Sequence, residues 1–562
     1  MRYAPGLVLL IFSFLQSFST LPWSAAHSES FAFLAVVAWG LGMAYHNSVV
    51  QIRLNLPIIA FLCISLLIAI QYATKQILFS GDVIALWFYC CLCLSALFIA
   101  QWHGHYSGWP TSLALVLLAT ALTSTLIALI QALGVWIDAD WIARYTGFRR
   151  SGANLGQPNH LGTLLIMGAA SLIYLDQRLH ISRFLAVLLS LLLIVGMGIT
   201  ESRTGLLSSI TLCLWWLARA KVFIHAPRWP WIAASILMLT GTMWKWPTII
   251  TYIQEAGPLP ESVTINTTSS MRLEVWQQLW EAVWIKPWLG WGLRGVSAAL
   301  NAVLDHYPES LPFTYAHNII VDMAIGMGLP LTVFFLCAIG IWIWRRVKNV
   351  QTIESWYAVG LLIPFGVHSL LEYPFAYAYF LVPAMLAIGM LDQDSTSSIR
   401  ITISRKIIFG FFIFFGLLLA RVGIEYIEIE EDFRIARFES LNVGQTPVDH
   451  VHPNIFLLTQ LKAMVAATRT IPRPHMQSEE FELLRTASLR FPWVSLQNIY
   501  ALSLALNGNS QEAIRQLKVI RAMHGEKVYA GIKSSWMELA HTKYPQLDAL
   551  ALPPVSKDSK PD

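Results

Sequence analysis

Two arginines and a histidine, Arg203, Arg272 and His317, stand in polar stretches that interrupt an otherwise apolar chain. Guanidinium groups bind a diphosphate bidentately, and fixed cations stabilise a departing phosphate oxygen more as its charge grows. An imidazole at the start of a helix is kept able to accept a proton, because the helix dipole disfavours its cationic form. The three together suit transfer from a membrane-bound diphosphate donor to a hydroxyl acceptor. Arginines can take the place of a metal in such chemistry, so this reading requires no cofactor.

Further clusters fall at comparable positions between apolar runs. The stretch from Phe148 to His160 is rich in donors and glycines, and it carries Arg149, Arg150, Gln157, Asn159 and His160. Arg149 or Arg150 could exchange roles with the other two arginines, and Asn159 is expected to cap a helix starting at His160. The break Glu201-Ser202-Arg203-Thr204-Gly205 places an arginine where lipid makes it expensive unless it snorkels or meets an anion. His368 and Glu372 are expected one turn apart on one helix face, just before Tyr373-Pro374. Each residue also has an ordinary explanation: a terminal arginine anchors headgroups, a lone interfacial histidine is structural, and a paired His and Glu hold a helix end. What weighs against these explanations is their coincidence in Gly/Asn/Ser-rich turns. Asp138-Ala139-Asp140 reads as a D-x-D motif, but no third ligand lies nearby, so no metal is expected there.

The elements that must position these residues are membrane helices. Of 562 residues, 56% are hydrophobic and 13% charged, about half the charged share of ordinary soluble domains. The net charge of +5 is spread over loops and gives no argument for nucleic-acid binding. The six cysteines lie inside apolar runs without metal-type spacing. Apolar runs of spanning length occur near 6–24, 29–46, 54–72, 84–101, 111–134, 160–176, 184–200, 205–220, 229–246, 317–344, 355–371, 374–392 and 406–424, thirteen in all. With the N-terminus cytoplasmic, the inner connections hold most of the basic residues, among them Arg53, Arg178, Arg219, Arg345, Arg346, Arg400 and Arg405. That alternation puts the Arg203 turn, the 248–316 loop and the C-terminal region outside.

The stretch from about Thr248 to His317 is the longest polar interruption. Its hydroxyl-rich run, residues 264–270, predicts a loop ending in an N-cap, followed by a helix from Met271 to Ile285. Trp276, Trp280 and Trp284 form a stripe that suits a helix lying on the membrane surface. From about Glu425 the composition is that of a soluble helical domain. Residues 484–523 have the pattern of one tetratricopeptide-type hairpin, and a disordered tail is expected from Pro553. A transporter is the competing class. It calls for ionisable residues near the bilayer midplane and for internal repeats, and the chain shows neither.

Six motifs occur in one order: Gly156-Gln157-Pro158-Asn159-His160; Ser202-Arg203-Thr204; Ser270-Met271-Arg272 with Trp276; Pro287-Trp288-Leu289-Gly290-Trp291-Gly292; Ala316-His317-Asn318 with Gly326-Met327-Gly328; and His368-Ser369-Leu370-Leu371-Glu372-Tyr373-Pro374. Over residues 110–395 they resemble the O-antigen ligase and polymerase superfamily, and most of all its PglL-type bacterial protein O-oligosaccharyltransferases. The resemblance implies an all-α polytopic, GT-C-like membrane fold, while composition and charge placement set the expected domains: a membrane domain over residues 1–424, a periplasmic helical domain over 425–552 and a tail over 553–562. It also implies an inner-membrane enzyme with a periplasmic active site. Such an enzyme moves a preassembled glycan en bloc from undecaprenyl diphosphate to Ser or Thr of a periplasmic or pilin protein. By resemblance the essential loop histidine falls on His317 and the diphosphate-binding arginines on Arg203 and Arg272. Gln157, Asn159, His160 and Tyr373 match motif residues of the protein-glycosylating branch, and Arg149, Arg150, Asn318, His368 and Glu372 complete the expected substrate site. A ligase with lipid A core as acceptor, or a polymerase, is the nearest alternative.

Overall fold

A computed structural model describes residues 4–46, 49–103, 108–135, 140–143, 150–224, 229–253, 265–392, 399–441, 443, 446 and 450–555. Among these the chain is almost wholly helical, with one two-stranded ribbon. Eight helices are both long and apolar enough to cross a membrane. They are spread from Ala26 to Arg405–Ser440, so the chain is an all-α polytopic membrane protein. Other apolar runs form shorter or less apolar helices, including Ala4–Leu15, Arg203–Ala218 and Ala378–Leu391. The run expected to end at 424 instead belongs to one 36-residue helix, Arg405–Ser440. The chain divides into two compact units, residues 1–64, 88–263 and 337–421, and residues 65–87, 264–336 and 422–562.

In the first unit, the helix Pro158–Leu179 is the centre. It packs against Trp109–Ala132, Arg183–Thr200, Arg203–Ala218 and Ile353–Leu371. Apolar side chains gain little by leaving lipid for each other, so close backbone approach through small residues holds such helices together. A Cβ on Gly168 would lie 2.6 Å from that of Ala121, and one on Gly162 would lie 3.2 Å from the Ser202 hydroxyl. Buried hydroxyls add cross-links, as where Ser171 and the Tyr357 phenol share a hydrogen bond of 2.9 Å. At one end of the unit, Val49–Leu54 pairs antiparallel with Ile399–Ser404, setting Arg53 opposite Arg400. Asp392, 1% exposed, accepts from Asn55 and Trp342 and pairs with Arg346 at 2.6 Å. Three connections assigned to one face on their basic residues therefore meet at one end of the unit.

The second unit is built on a separate apolar core. Val275, Leu279, Ala282 and Val283 of the helix Ile265–Ile285 bury against Val296–Val303 and against Val519, Ala522 and Met523. That helix begins six residues before its expected start, so residues 265–270 of the hydroxyl-rich run lie within it. Propensity for caps is a weak prior, and the packed apolar face is what sustains the helix. The C-terminal helices Thr459–Arg469, Ser478–Arg490, Val494–Leu506, Ser510–His524 and Glu526–Thr542 follow one another in short connections. Glu425, fully buried, accepts the backbone N–H groups of Phe456, Leu457 and Leu458 at 2.8–3.2 Å. Arg490 forks onto Asp82 with two bonds of 2.8 Å. Pro553 and Pro554, assigned to the tail on composition, are tied down by Tyr529, Lys533 and Arg521.

Candidate active site

In the first unit the Gly156–His160 turn and the Ser202 break are joined side chain to side chain. Pro158 takes the first helical position and Gln157 is the N-cap, although its side chain makes no capping bond. Asn159 is therefore inside the helix rather than capping it, and its amide is free to reach outward. It accepts from the Ser202 hydroxyl at 2.7 Å and donates to Glu372 at 3.2 Å. Ser202 caps the next helix by accepting from the Gly205 N–H at 3.0 Å. Arg203 follows as the first helical residue and is exposed. A cation there is opposed by the helix dipole, so it does not serve the helix, and its exposed guanidinium is available to an anion. Arg150 donates from Nε to the Thr200 carbonyl at 2.8 Å, which fastens the preceding turn to the same break.

His368 and Glu372 are not on one helix face as expected. The helix Ile353–Leu371 ends before Glu372, whose backbone is extended (φ −153°, ψ −163°) and whose N–H reaches back to the His368 carbonyl at 2.8 Å. Tyr373-Pro374 explains the stop, since a residue before proline avoids the helical region. Glu372, 1% exposed, thereby turns toward Asn159. His368 shares a 2.7 Å hydrogen bond with Thr163, and His160 one of 3.0 Å with the Tyr379 phenol. Tyr377 stands edge-on to His160 at 4.6 Å and stacks on Tyr373 at 5.8 Å. Gln157, Asn159, His160, His368, Glu372 and Tyr373 thus gather around one buried polar network. Its partners Thr163, Ser202, Tyr377 and Tyr379 were missed as site residues, and the motif serine before Arg203 was the one available pointer.

In the second unit the loop holding His317 is pinned on both sides. The Trp276 indole donates to the Ala316 carbonyl at 2.7 Å, and the Ala316 N–H donates to Asp322 at 3.0 Å. His317 has φ +57°, a left-handed conformation that a non-glycine residue holds at some strain. Its ring lies 4.3 Å from that of Phe313. Asn318 caps the next helix, accepting from Ile320 at 2.9 Å. Arg272 is half-buried one turn before Trp276, so the helix face that carries it meets the His317 loop through the indole. Trp280 and Trp284 are 45% and 70% exposed, so the tryptophan stripe divides: one ring locks a loop and two face outward.

The Pro287–Gly292 turn plugs a break in the helix after His317. Gly328, at φ +78° and ψ +167°, interrupts Ile319–Lys348. Trp291 N–H donates to the Ile325 carbonyl at 2.7 Å and Leu329 N–H to Pro287 at 2.8 Å, while Gln71 donates to Gly326 at 2.7 Å. A Cβ on Gly328 would come within 2.4 Å of the Trp288 carbonyl oxygen. Arg294 donates to the Tyr315 phenol and sits over its ring at 5.3 Å. Burial pushes the Tyr315 pKa up although Arg294 opposes this, so the phenol stays protonated beside the cation.

Arg149, Asp138 and Ala139 lie outside the described residues. Among the described residues, Asp432, His450 and His452 are the one group spaced to hold a metal ion. Its carboxylate is already taken by Arg469 at 2.7 and 2.9 Å and by His450 at 2.9 Å.

Residues 188–336 match the O-antigen ligase family, and residues 356–536 match the C-terminal part of virulence-factor membrane-bound polymerases. The chain is 24% identical to a general O-oligosaccharyltransferase of Acinetobacter baylyi over 420 residues, covering 73% of this chain and 72% of that protein. It is 31% identical to a ComP-specific O-oligosaccharyltransferase of the same organism over 261 residues, 45% of this chain and 46% of that protein. The resemblance carried by the six motifs is borne out: the chain is similar to the O-antigen ligase and polymerase superfamily, and to its PglL-type oligosaccharyltransferases.

Proposed function

We propose that the chain, similar as it is to O-antigen ligases and O-oligosaccharyltransferases, is an O-linked protein oligosaccharyltransferase of the bacterial inner membrane. It moves a preassembled glycan from undecaprenyl diphosphate to a Ser or Thr hydroxyl of a periplasmic protein, a pilin being one candidate acceptor. The observation that carries the reading is His317, held in a left-handed conformation while both polar backbone groups of Ala316 are bonded. Strain of this kind persists where surrounding structure over-determines it, and it is typical of reacting groups.

In this mechanism the acceptor hydroxyl oxygen attacks the anomeric carbon from the face opposite the leaving group. The new C–O bond forms as the bond to the diphosphate oxygen breaks, with inversion. His317 takes or orients the hydroxyl proton. Arg203 and Arg272 bind the diphosphate and stabilise the charge that grows on it, which is why no metal is needed. Gln157, Asn159, His160, Arg149, Arg150, Asn318, His368, Glu372 and Tyr373 complete the substrate site. The catalytic groups and the C-terminal helices face the periplasm.

Cells that make a lipid-linked glycan, expressing this gene with a panel of periplasmic and pilin proteins, test the reading by intact-mass spectrometry. A glycan mass gained on one protein and lost with His317→Ala supports it. Transfer that survives His317→Ala removes the histidine from the mechanism. The match to O-antigen ligases over residues 188–336 favours one second reading, transfer to lipid A core. Glycan found there and on no protein selects it.

A further inference from the structure

The first unit contains a cavity of about 820 Å³, inside the roughly 300–1,000 Å³ range of small-molecule sites. Its walls come from the connection between Ala4–Leu15 and Ala26–His46, from the end of Trp109–Ala132, and from the Asn154–Gln157 turn. We infer that this cavity binds the first sugars of the donor glycan; the inference rests on the function proposed above.

The lining chemistry selects the ligand. No lysine or arginine lines the cavity among the described residues, and Asp140 is its single carboxylate. A diphosphate is held by cations, and the described lining offers none. Ser17, Ser19, Ser24 and Gln157 line the cavity with hydroxyl and amide groups, and Phe18, Ile130, Val135 and Ile142 add apolar wall between them. A neutral ligand that alternates hydroxyl groups with C–H faces, as a sugar does, fits this mixed lining.

The walls are held rigid before any ligand arrives. Gln131 donates to the Ala143 carbonyl at 2.9 Å and accepts from Ser151 at 2.6 Å. Asn154 accepts from the Ala143 N–H at 3.0 Å and donates to the Trp141 carbonyl at 2.8 Å. Preformed walls spare a ligand the cost of ordering them. Position adds the last argument. Gln157 and His160 line the cavity and belong to the turn whose Asn159 bridges Ser202 and Glu372. A donor whose diphosphate meets Arg203 beyond Ser202 can extend its reducing-end sugars into this space.

The test measures binding of two probes to the full-length protein in lipid nanodiscs. One is undecaprenyl diphosphate carrying a neutral disaccharide, and the other is the same lipid without sugar. The wild type is expected to prefer the sugar-bearing probe by about tenfold, equivalent to about 1.4 kcal/mol. Ala25→Trp and, separately, Val135→Trp, which is 53% exposed and so tolerant of bulk, fill the cavity. Both should abolish the preference and leave affinity for the bare lipid unchanged. A wild type without preference overturns the inference. So does loss of both probes alike in both variants. If the preference is found but no transfer occurs to any acceptor, the sugar site stands and the proposed reaction falls.

Discussion

The Trp276 indole nitrogen and the Ala316 carbonyl oxygen, forty residues apart, are joined at 2.7 Å, and this bond orients the residue after it, His317. Trp276→Phe keeps an aromatic ring and removes the donor. Stability should fall by roughly 1 kcal/mol. Transfer should fall further, by roughly 10- to 100-fold in kcat with donor KM little changed, because a small misplacement of a reacting group costs that much. Steady-state transfer kinetics against thermal unfolding separate the two effects. Wild-type kcat in Trp276→Phe would show that the bond does not position His317.

Asn159 is the bridge between Ser202 and Glu372, and its removal takes one donor from a buried carboxylate. Asn159→Ala should cost about 1–3 kcal/mol. Asn159→Asp should cost more, since two carboxylates then face each other at the 3.2 Å now spanned by a hydrogen bond. Adding Glu372→Gln to Asn159→Asp should recover most of that difference. Thermal unfolding in detergent gives the ordering, and equal melting of Asn159→Ala and Asn159→Asp would contradict it.

Arg490 and Asp82 form a nearly buried pair, their side chains 15% and 3% exposed. Burial opposes the Arg490 charge, but the Asp82 carboxylate more than offsets this and raises its pKa. Arg490→Ala should destabilise by about 3–5 kcal/mol, as breaking one half of a buried pair does. Adding Asp82→Ala should cost less than the sum of the two single changes. Additive losses in a double-mutant cycle would mean the pair is not coupled.

His524 gives the C-terminal helices an acid-sensitive point. Burial lowers its pKa from 6.5 to about 4, and its Nε2 shares a 2.8 Å hydrogen bond with Gln497. The fold favours the neutral ring, so its contribution is complete above 6.5 and is lost as pH falls through about 4. His524→Gln should flatten the stability profile between those two values and leave the neutral-pH plateau nearly level. An unchanged acid slope in the variant would assign the effect elsewhere.

Much of this was legible in the chain because the polar motifs interrupt long apolar runs, where a charged or amide side chain has few ordinary uses. The partners were not legible. Asn159 reads as a cap until Pro158 is seen to start the helix, and Ser202 and Glu372 then reach it from 43 and 213 residues away. The left-handed backbone at His317 has little sequence mark, since glycine announces that conformation strongly and histidine only weakly. Arg203, expected in a break before a run starting at 205, opens the helix itself, because Ser202 supplies the cap before the apolar pattern begins. Asp322 is a lone acid in an apolar run, and nothing in its surroundings in the sequence links it to the Ala316 amide that it holds.

The break at Gly328 has a consequence for biogenesis. A helix that enters lipid with open backbone groups is costly until they are bonded, and each such group costs several kcal/mol. Here the closing groups come from Gln71, Pro287 and Trp291, all of which precede the broken helix in the chain. The ribosome therefore makes every plug before the hole, and the helix emerges into a membrane where its missing bonds already wait.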